Sequence, residues 1–479
     1  MKSALENIEV VTEKINLEVK QGRLAGPFKH LPLKNFRASP IGLVPKKALG
    51  KFRIIHHLSY PPQNSINDGI PDNLATVKYA STDDAIRLIK KSGSGCVLSK
   101  VDIKSAFKII PIHPSDHNLL GLSWDNMYYY DKTLPMGCRS SCAIFEAFST
   151  AVEWIAKNEL KVAGIAHILD DFLIISNSMN QGYTDLLGFQ TMCETLGIPL
   201  APEKTEGPAS SLTFAGIELD TIARTARLPA EKLEKAIALV KRALDKPKLT
   251  LHEIQSVIGF LNFTCKVVVP GRAFLRRLVN LTIGVRCAWH KIRITSQAKL
   301  DLKAWLLFLR QFNGRQFFLS DQWLSNYNLN LYTDASGTIG YGAVFDGLWI
   351  HGKWPNSWLK ENITLKECYP IVAAVCVWGY HWSNKRIMFH TDNEALVHTI
   401  NANTTKDVKI MALVRKLVVQ SMRFNIQFKA VHVPGCKNIL ADKLSRLQVE
   451  AFKIAAPHAM EHPSPVPAEI RPQNWFLGC

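Results

Sequence analysis

The stretch "HILDDFLIIS", residues 167–176, sets two adjacent aspartates in an otherwise apolar run. A buried ionised carboxylate costs several kcal/mol unless it is paired or metal-bound, and a second one beside it adds repulsion. The pair is tolerable only where the run breaks and meets water. "GIAHIL" and "FLIISN" therefore read as two strands of a hairpin with Asp170 and Asp171 at its tip. A second strand-like run, "CVLSKVDI" (96–103), also places an aspartate, Asp102, near its end. Three carboxylates at neighbouring strand ends can bind two divalent cations about 3.5–4 Å apart, which suits in-line phosphoryl transfer. Oxygen-only ligands select Mg²⁺ or Mn²⁺ over zinc. Asp-Asp is also a common turn dipeptide, and the pair alone reads as a plain hairpin turn; the surrounding sequence is what changes that reading.

Charge bears on what such a site would act upon. Lys and Arg total 58 against 40 Asp and Glu, a formal charge of +18, which favours a polyanionic partner, nucleic acid before membrane. The longest apolar stretches, such as "IVAAVCVW" (371–378), fall far short of the ~20 residues that span a bilayer. The N-terminus lacks an apolar core followed by a small-residue cleavage site, so no signal peptide is expected. The ten cysteines form no CxxC and lack histidines at zinc-site spacing, as in an intracellular protein with reduced thiols. An intracellular location, in cytoplasm or nucleus, and no secretion follow as expectations.

Along the chain, residues 1–225 alternate strands with helical stretches. "SSCAIFEAFSTAVEWIAKNEL" (140–160) reads as a helix with a Ser cap. Helices dominate from "PAEKLEKAIALVKRAL" (229–244), whose Pro suits a first turn. Near 326 strands return, in a Gly-punctuated meander ending in "LWIHGKW", followed by alternating helices and strands to about 447. The tail, 448–479, is Pro-rich and reads as an extended linker.

Five segments in order now carry a resemblance. "SPIGLVPKKALGKFRIIHHLSYP" (39–61), "VDIKSAF", "LPMGCRSSCAIFE" (134–146), "ILDDFLII" and "LGIPLAPEKTEGP" with "LTFAGIELD" (196–220) resemble the fingers and palm motifs of reverse transcriptases. The wording "GKFRIIHHLSYP…SINDGIP" with "LPMG" looks most like the DIRS-type, tyrosine-recombinase retroelements. The resemblance implies Asp102 and Asp170 as metal ligands assisted by Asp171, two Mg²⁺ or Mn²⁺ ions per centre, and dNTP substrates. It implies Phe107 as a bulky gate against a ribose 2′-OH, and Lys46 and Arg53 as the cations holding the triphosphate. It implies Lys204 as a general acid toward pyrophosphate, and Met136 and Gly137 as the floor beneath primer and nucleotide. Leu169 replaces the usual Tyr or Met before the aspartates, and Met136 stands where many retroviral relatives have Gln. Neither change removes a charge that the chemistry needs.

A second set of acids follows: Asp334 in "LYTDASG", Glu367 in "TLKEC", Asp392 in "FHTDNEA" and Asp442 in "NILADKLSR". They resemble the ribonuclease H acids, which cut the RNA strand of an RNA/DNA hybrid, with His432 matching that family's mobile histidine and Asn438 supporting the loop. Each has a plainer reading. Thr364 and Glu367 form a capping-box pattern, Asp392 could cap "NEALVHTIN", and His432 could be structural. Pro370 would delete a hydrogen bond in a helix begun at Thr364, which must then start later or kink.

Between the two sets, residues 266–303 carry nine Lys or Arg and one acid, Asp301. Arg272, Arg276 and Arg277 are the first choices for gripping a duplex through phosphates, blind to sequence.

Together these readings predict an α/β (α+β) multidomain chain. Fingers and palm of a right-hand polymerase occupy 1–225, a helical thumb and connection 226–325, and a ribonuclease H-like α/β domain 326–447, before the tail 448–479. Template RNA or DNA, primer, RNA/DNA hybrid and other retroelement-encoded proteins are the implied partners, with no membrane. The rival reading is a decayed or repurposed copy that only binds nucleic acid. The absence of recombinase or capsid-like segments reads as part of a longer polyprotein.

Overall fold

Apolar runs and amphipathic helices gather into two compact units, Met1–Arg224 and Thr225–Cys479. The computed structural model describes residues 1–45, 50, 52–311, 316–317, 320, 322–433 and 438–475. Both units mix helices with sheets, which is the expected α/β class.

In the first unit, β1 (Ile41–Pro45) and β2 (Phe52–His56) make an antiparallel ribbon with Val44 opposite Arg53. β3 (Val97–Asp102) lies inside a four-stranded sheet completed by β4 (Gly164–Ile168), β5 (Asp171–Ser176) and β6 (Glu206–Ala209), in the order β4-β5-β3-β6 and antiparallel throughout. Phe172 and Ile174 of β5 join Phe145 of helix α1 (Ser141–Glu159) and Phe189 of helix α2 (Met179–Thr195) in one fully buried cluster. Leu173 and Ile175 point to the other face and are buried too, which is why β5 reads as an unbroken apolar run. Each such ring or branched chain contributes about 2 kcal/mol by leaving water. Ser140 occupies the cap position of α1, but its side chain makes no cap bond, contrary to the sequence expectation. The hydroxyl of the next residue, Ser141, donates instead to the Pro135 carbonyl at 2.8 Å.

The second unit opens with helix α3 (Ala230–Asp245), strand β7 (Lys248–Thr250) and helix α4 (Leu251–Thr264). Thr250 and Glu253 form a reciprocal capping box that starts α4. β8 (Lys291–Arg293) pairs antiparallel with β7, and helix α5 (Ser296–Gln311) follows. β9 (Leu331–Ala335), β10 (Gly340–Phe345) and β11 (Leu348–Lys353) are the expected antiparallel meander. Helix α6 (Ile363–Trp378) precedes β12 (Arg386–Thr391), helix α7 (Glu394–Ala402), helix α8 (Val408–Arg423) and β13 (Gln427–His432), which pairs parallel with β12. Helix α9 (Ile439–Ser445) and helix α10 (Val449–Ala455) follow, and a short 3-10 turn spans Ala468–Ile470.

Two expectations are corrected here. α6 starts at the Asn362 cap and runs through Pro370 to Trp378, neither shortened nor begun at Thr364. Almost every α6 side chain is buried, and that packing outweighs the one hydrogen bond lost at Pro370. The Pro-rich tail is no free linker. Its backbone carbonyls accept from three buried side chains: Met460 from Trp349 Nε1 (2.7 Å), Pro472 from Trp358 Nε1 (2.9 Å) and Ile470 from the Tyr369 hydroxyl (3.0 Å). Proline suppresses helix and sheet but leaves carbonyls free, and buried indole N–H groups need such acceptors.

Candidate active site

β3 and β5 are adjacent antiparallel strands, and their register sets Asp102 directly opposite Asp171. Leu169 and Asp170 form the two-residue turn from β4 to β5. The Asp170 carbonyl accepts from Ile103 N at 2.9 Å, tying the turn to the end of β3. The hairpin therefore gathers the three expected carboxylates, with Asp171 on the strand rather than at the very tip. Leu169 has φ +53°, a conformation that costs a branched side chain about 1 kcal/mol or more. Its N–H donates to Glu146 Oε2 at 2.9 Å.

Electrostatics follow from that crowding. Burial, then Asp102, raises the Asp170 carboxyl above its ordinary range, while Lys204 and Arg53 oppose the rise. Burial pushes Asp171 up to about 6, with Lys100 opposing and Asp102 and Asp170 reinforcing. Asp171 Oδ1 is buried without a hydrogen-bond partner. Lys204 Nζ donates to Asp102 Oδ1 at 2.7 Å. Burial acts to lower Lys204, but the Asp102 and Asp170 charges leave its ammonium above the usual lysine value.

A cleft of about 420 Å³ opens here, lined among others by Arg53, Asp102, Lys108, Met136, Asp170 and Lys204. Lys46, the expected partner of Arg53, lies outside the described residues. Phe107 packs edge-to-face on Phe145, centroids 5.2 Å apart, and is half-buried between Ala106 and Lys108, both of which line the cleft. Gly137 has φ +121°, and a Cβ there would lie 1.9 Å from the His56 carbonyl oxygen, so only glycine fits. His56 N donates to the Met136 carbonyl at 2.9 Å, which sews the cleft floor to β2 and hence to Arg53.

Sequence reasoning missed two polar networks behind this surface. His56 is buried between Asp131 (Nδ1 to Oδ2, 3.1 Å) and the Gly121 carbonyl (3.0 Å), and Lys108 Nζ donates to Asp131 at 2.7 Å. Burial works against the Asp131 charge, yet Lys108 and His56 hold its carboxyl below the usual range. Behind the hairpin, His167 contacts Glu153 through Nδ1 and Glu146 through Nε2 (3.4 Å), and its ring stacks on Phe172. One signal was available: Glu146 and Glu153 are seven apart, on the face of α1 that carries Ser149 and Ala156 inward.

The second set of acids is assembled by the second unit. Asp334 on β9 faces Gly342 on β10. A Cβ at Gly342 would lie 2.4 Å from Leu444 Cβ, so its absence lets α9, which carries Asp442, lie on the sheet. Glu367 is buried inside α6, which Asn362 caps, so the capping reading of Glu367 falls. Asn393, not Asp392, accepts from Leu396 N and caps α7, so Asp392 is released from that role as well. His432 ends β13 opposite Thr391 and is exposed. Asn438 Nδ2 donates to the Thr333 carbonyl at 2.7 Å, anchoring α9 beside β9.

Charge is less balanced here. Burial pushes Glu367 up to about 9, reinforced by Asp334 and Asp392. Burial also raises Asp334, with Asp442 and Asp392 adding to it and Ser445 and Arg446 opposing. Arg446 Nε binds Asp442 at 2.8 Å. Among the described residues no three His, Cys, Asp or Glu side chains close into a ready-made metal cage. Mutual repulsion in both clusters, and the orphaned Asp171 oxygen, nevertheless fit divalent cations held by oxygen.

Of the basic residues, Arg272 is exposed and Arg276 is half-buried. Arg277 corrects the expectation, because it binds the buried Asp301 at 3.0 Å, with Arg415 Nε on the same carboxylate at 3.3 Å. A charge run can hide an internal ion pair, and Asp301 was the sign of it.

Comparisons with known proteins agree with this geometry. Residues 44–219 match the family described as reverse transcriptase (RNA-dependent DNA polymerase). The Transposon Tf2-3 polyprotein of Schizosaccharomyces pombe is 22% identical over 461 residues, covering 92% of this chain and 31% of that protein. The chain thus spans about a third of the curated relatives it matches. Among solved structures, the foamy viral protease-reverse transcriptase dRH in complex with double-stranded DNA aligns with TM-score 0.52 at 16% identity, covering 89% of this chain and 70% of that one. The foamy viral protease-reverse transcriptase in complex with RNA/DNA hybrid aligns with TM-score 0.50 at 16% identity, covering 88% and 53%. The fold is that of reverse transcriptases, and residues 44–219 are the part of the chain that matches the reverse transcriptase family. No described helix is long and apolar enough to cross a membrane.

Proposed function

We propose that this chain is the polymerase segment of a retrotransposon polyprotein, copying RNA into DNA at the Asp102–Asp170–Asp171 centre and cleaving the RNA of RNA/DNA hybrids at the Asp334–Glu367–Asp392–Asp442 centre. The observation that carries it is the register of Asp102 opposite Asp171, with Asp170 in the turn and Lys204 on Asp102, inside the segment that matches reverse transcriptases. Mg²⁺ or Mn²⁺, two ions per centre, would be held by these acids and would supply Lewis acidity to the reacting phosphate and water oxygens. The remaining work belongs to the chain's own groups. Arg53 offers a fork to the triphosphate beside Asp170, and Lys204 holds a proton at Nζ for the departing pyrophosphate. Phe107, backed by Phe145, would set the width available at the sugar, and Met136, which lines the cleft, would floor it together with Gly137.

In the second centre, Arg446 pairs with Asp442 and opposes the rise at Asp334, while burial and the neighbouring acids push Glu367 up with no opposing cation. His432 at the exposed end of β13 would assist product departure. Arg272 and Arg276 would contact phosphates. Template, primer, dNTPs and hybrid are the substrates, other proteins of a DIRS-type element the partners, and the cell interior the site of action. The relatives' names and the nucleic acids bound by the foamy viral structures support this reading.

The test is Mg²⁺-dependent primer extension on a heteropolymeric RNA template. Extension by the parent and none by Asp170→Asn is expected. No extension from folded, template-binding protein would favour a repurposed binder.

A further inference from the structure

The β7–β8 ribbon holds a charge arrangement that neither centre uses. Its register puts Lys248 directly opposite Arg293 and Thr250 opposite Lys291. By strand alternation all four side chains share one face, while Leu249 and Ile292 form the other, with Leu249 buried. Like charges directly opposite on a ribbon destabilise it. No carboxylate is paired with Lys248, Lys291 or Arg293 among the described residues, and the nearby Glu253 is already bound by Lys246, Arg242 and the α4 cap. The three cations repel one another on an exposed surface, a cost that an anion would remove.

Trp289 stands two residues before Lys291 and is 77% exposed. Its backbone is fixed on both sides, because Leu251 N donates to the His290 carbonyl and His252 N to the Ala288 carbonyl, each at 3.0 Å. An indole displayed on a pinned backbone keeps its face open to water at a standing hydrophobic cost. Arg286 and Ile283, three and six residues earlier, are also exposed.

From this juxtaposition we propose that the β7–β8 ribbon and Trp289 form a docking surface for single-stranded nucleic acid, with Lys248, Lys291 and Arg293 on phosphates and the indole stacked on a base. A duplex would offer the phosphates but no free base face, so the tryptophan specifies an unpaired strand. The inference rests on the polymerase reading only for where such a strand arises, namely template outside the copied region.

The experiment uses the full chain and a short fluorescent oligouridylate, read by anisotropy over a salt series. Trp289→Ala weakens single-strand binding by about 5- to 100-fold, whereas Trp289→Phe keeps most of it and a hybrid duplex binds both alike. Replacing Lys248, Lys291 and Arg293 together by Ala lowers the slope of log affinity against log salt by about 2. Parent-like single-strand affinity in Trp289→Ala, or an unchanged slope in the triple variant, overturns the proposal. Stronger competition by an acidic peptide than by unlabelled oligouridylate also overturns it. Primer extension by the same preparations separates the two readings. A parent that binds through the ribbon but never extends loses the polymerase, not this surface, and an extending parent whose ribbon variants bind normally loses only this surface.

Discussion

Asp102 in the first unit and Asp442 in the second each carry one basic partner, Lys204 and Arg446, yet the acids around them respond differently. In the hairpin centre Lys204, Arg53 and Lys100 all oppose the upward shifts, and Asp171 reaches only about 6. In the second centre Arg446 counters the rise at Asp334, no cation counters it at Glu367, and that carboxyl is pushed up to about 9. The hairpin centre is partly neutralised by its own side chains. In the second, no side-chain cation offsets the rise at Glu367. On the proposed two-metal reading, the second centre should depend on its cations for stability as well as for reaction.

The largest expected effect breaks or sharpens that contrast by pH. Glu367 has a folded pKa raised from 4.5 to about 9, so its contribution to stability is full below about 4.5 and is lost as pH rises through 9. Asp171, raised from 3.8 to about 6, loses its contribution over a lower and narrower window. In divalent-free buffer the melting temperature should fall toward alkaline pH, and Glu367→Gln should flatten most of that fall. Asp171→Asn should remove only the acidic part. Equal slopes for the two variants would contradict the contrast.

The next effect probes how the hairpin is held. Glu146→Ala leaves the Leu169 N–H without its acceptor and His167 without one contact, and should lower kcat for extension about 10- to 100-fold, corresponding to roughly 1.4–2.7 kcal/mol. KM for dNTP should stay unchanged, and Glu146→Gln, which still accepts from Leu169, should restore most of the rate. A third, smaller effect lies away from both centres. Arg277→Ala leaves Asp301 with Arg415 alone and should cost about 2 kcal/mol in thermal unfolding. Arg272→Ala should leave stability unchanged and weaken duplex binding modestly.

These networks also mark where sequence reading reached its limit. The hairpin, its strands and the placing of Asp102, Asp170 and Asp171 were legible because each of these acids interrupts or ends an apolar run, whereas Asp334, Glu367, Asp392 and Asp442 stood out only through the ribonuclease H resemblance. Glu146 and His167 were not, because their meeting depends on α1 packing across the sheet, 21 residues apart in sequence. The α6 start misled because Thr364 and Glu367 imitate a capping box, while Asn362 makes the actual bond to Thr364 N at 2.8 Å. The Pro-rich tail misled because its anchors, Trp349, Trp358 and Tyr369, lie about a hundred residues upstream. Composition reports what a segment cannot form by itself, and packing decides what it does.

The most direct measurement is a crossed assay on parent, Asp170→Asn and Glu367→Gln, each tested with Mg²⁺ for primer extension on RNA and for cleavage of an RNA/DNA hybrid. Two independent centres require that Asp170→Asn lose extension and keep cleavage, and that Glu367→Gln lose cleavage and keep extension. Loss of both activities in either folded variant, or cleavage surviving Glu367→Gln at the parent rate, would contradict the assignment.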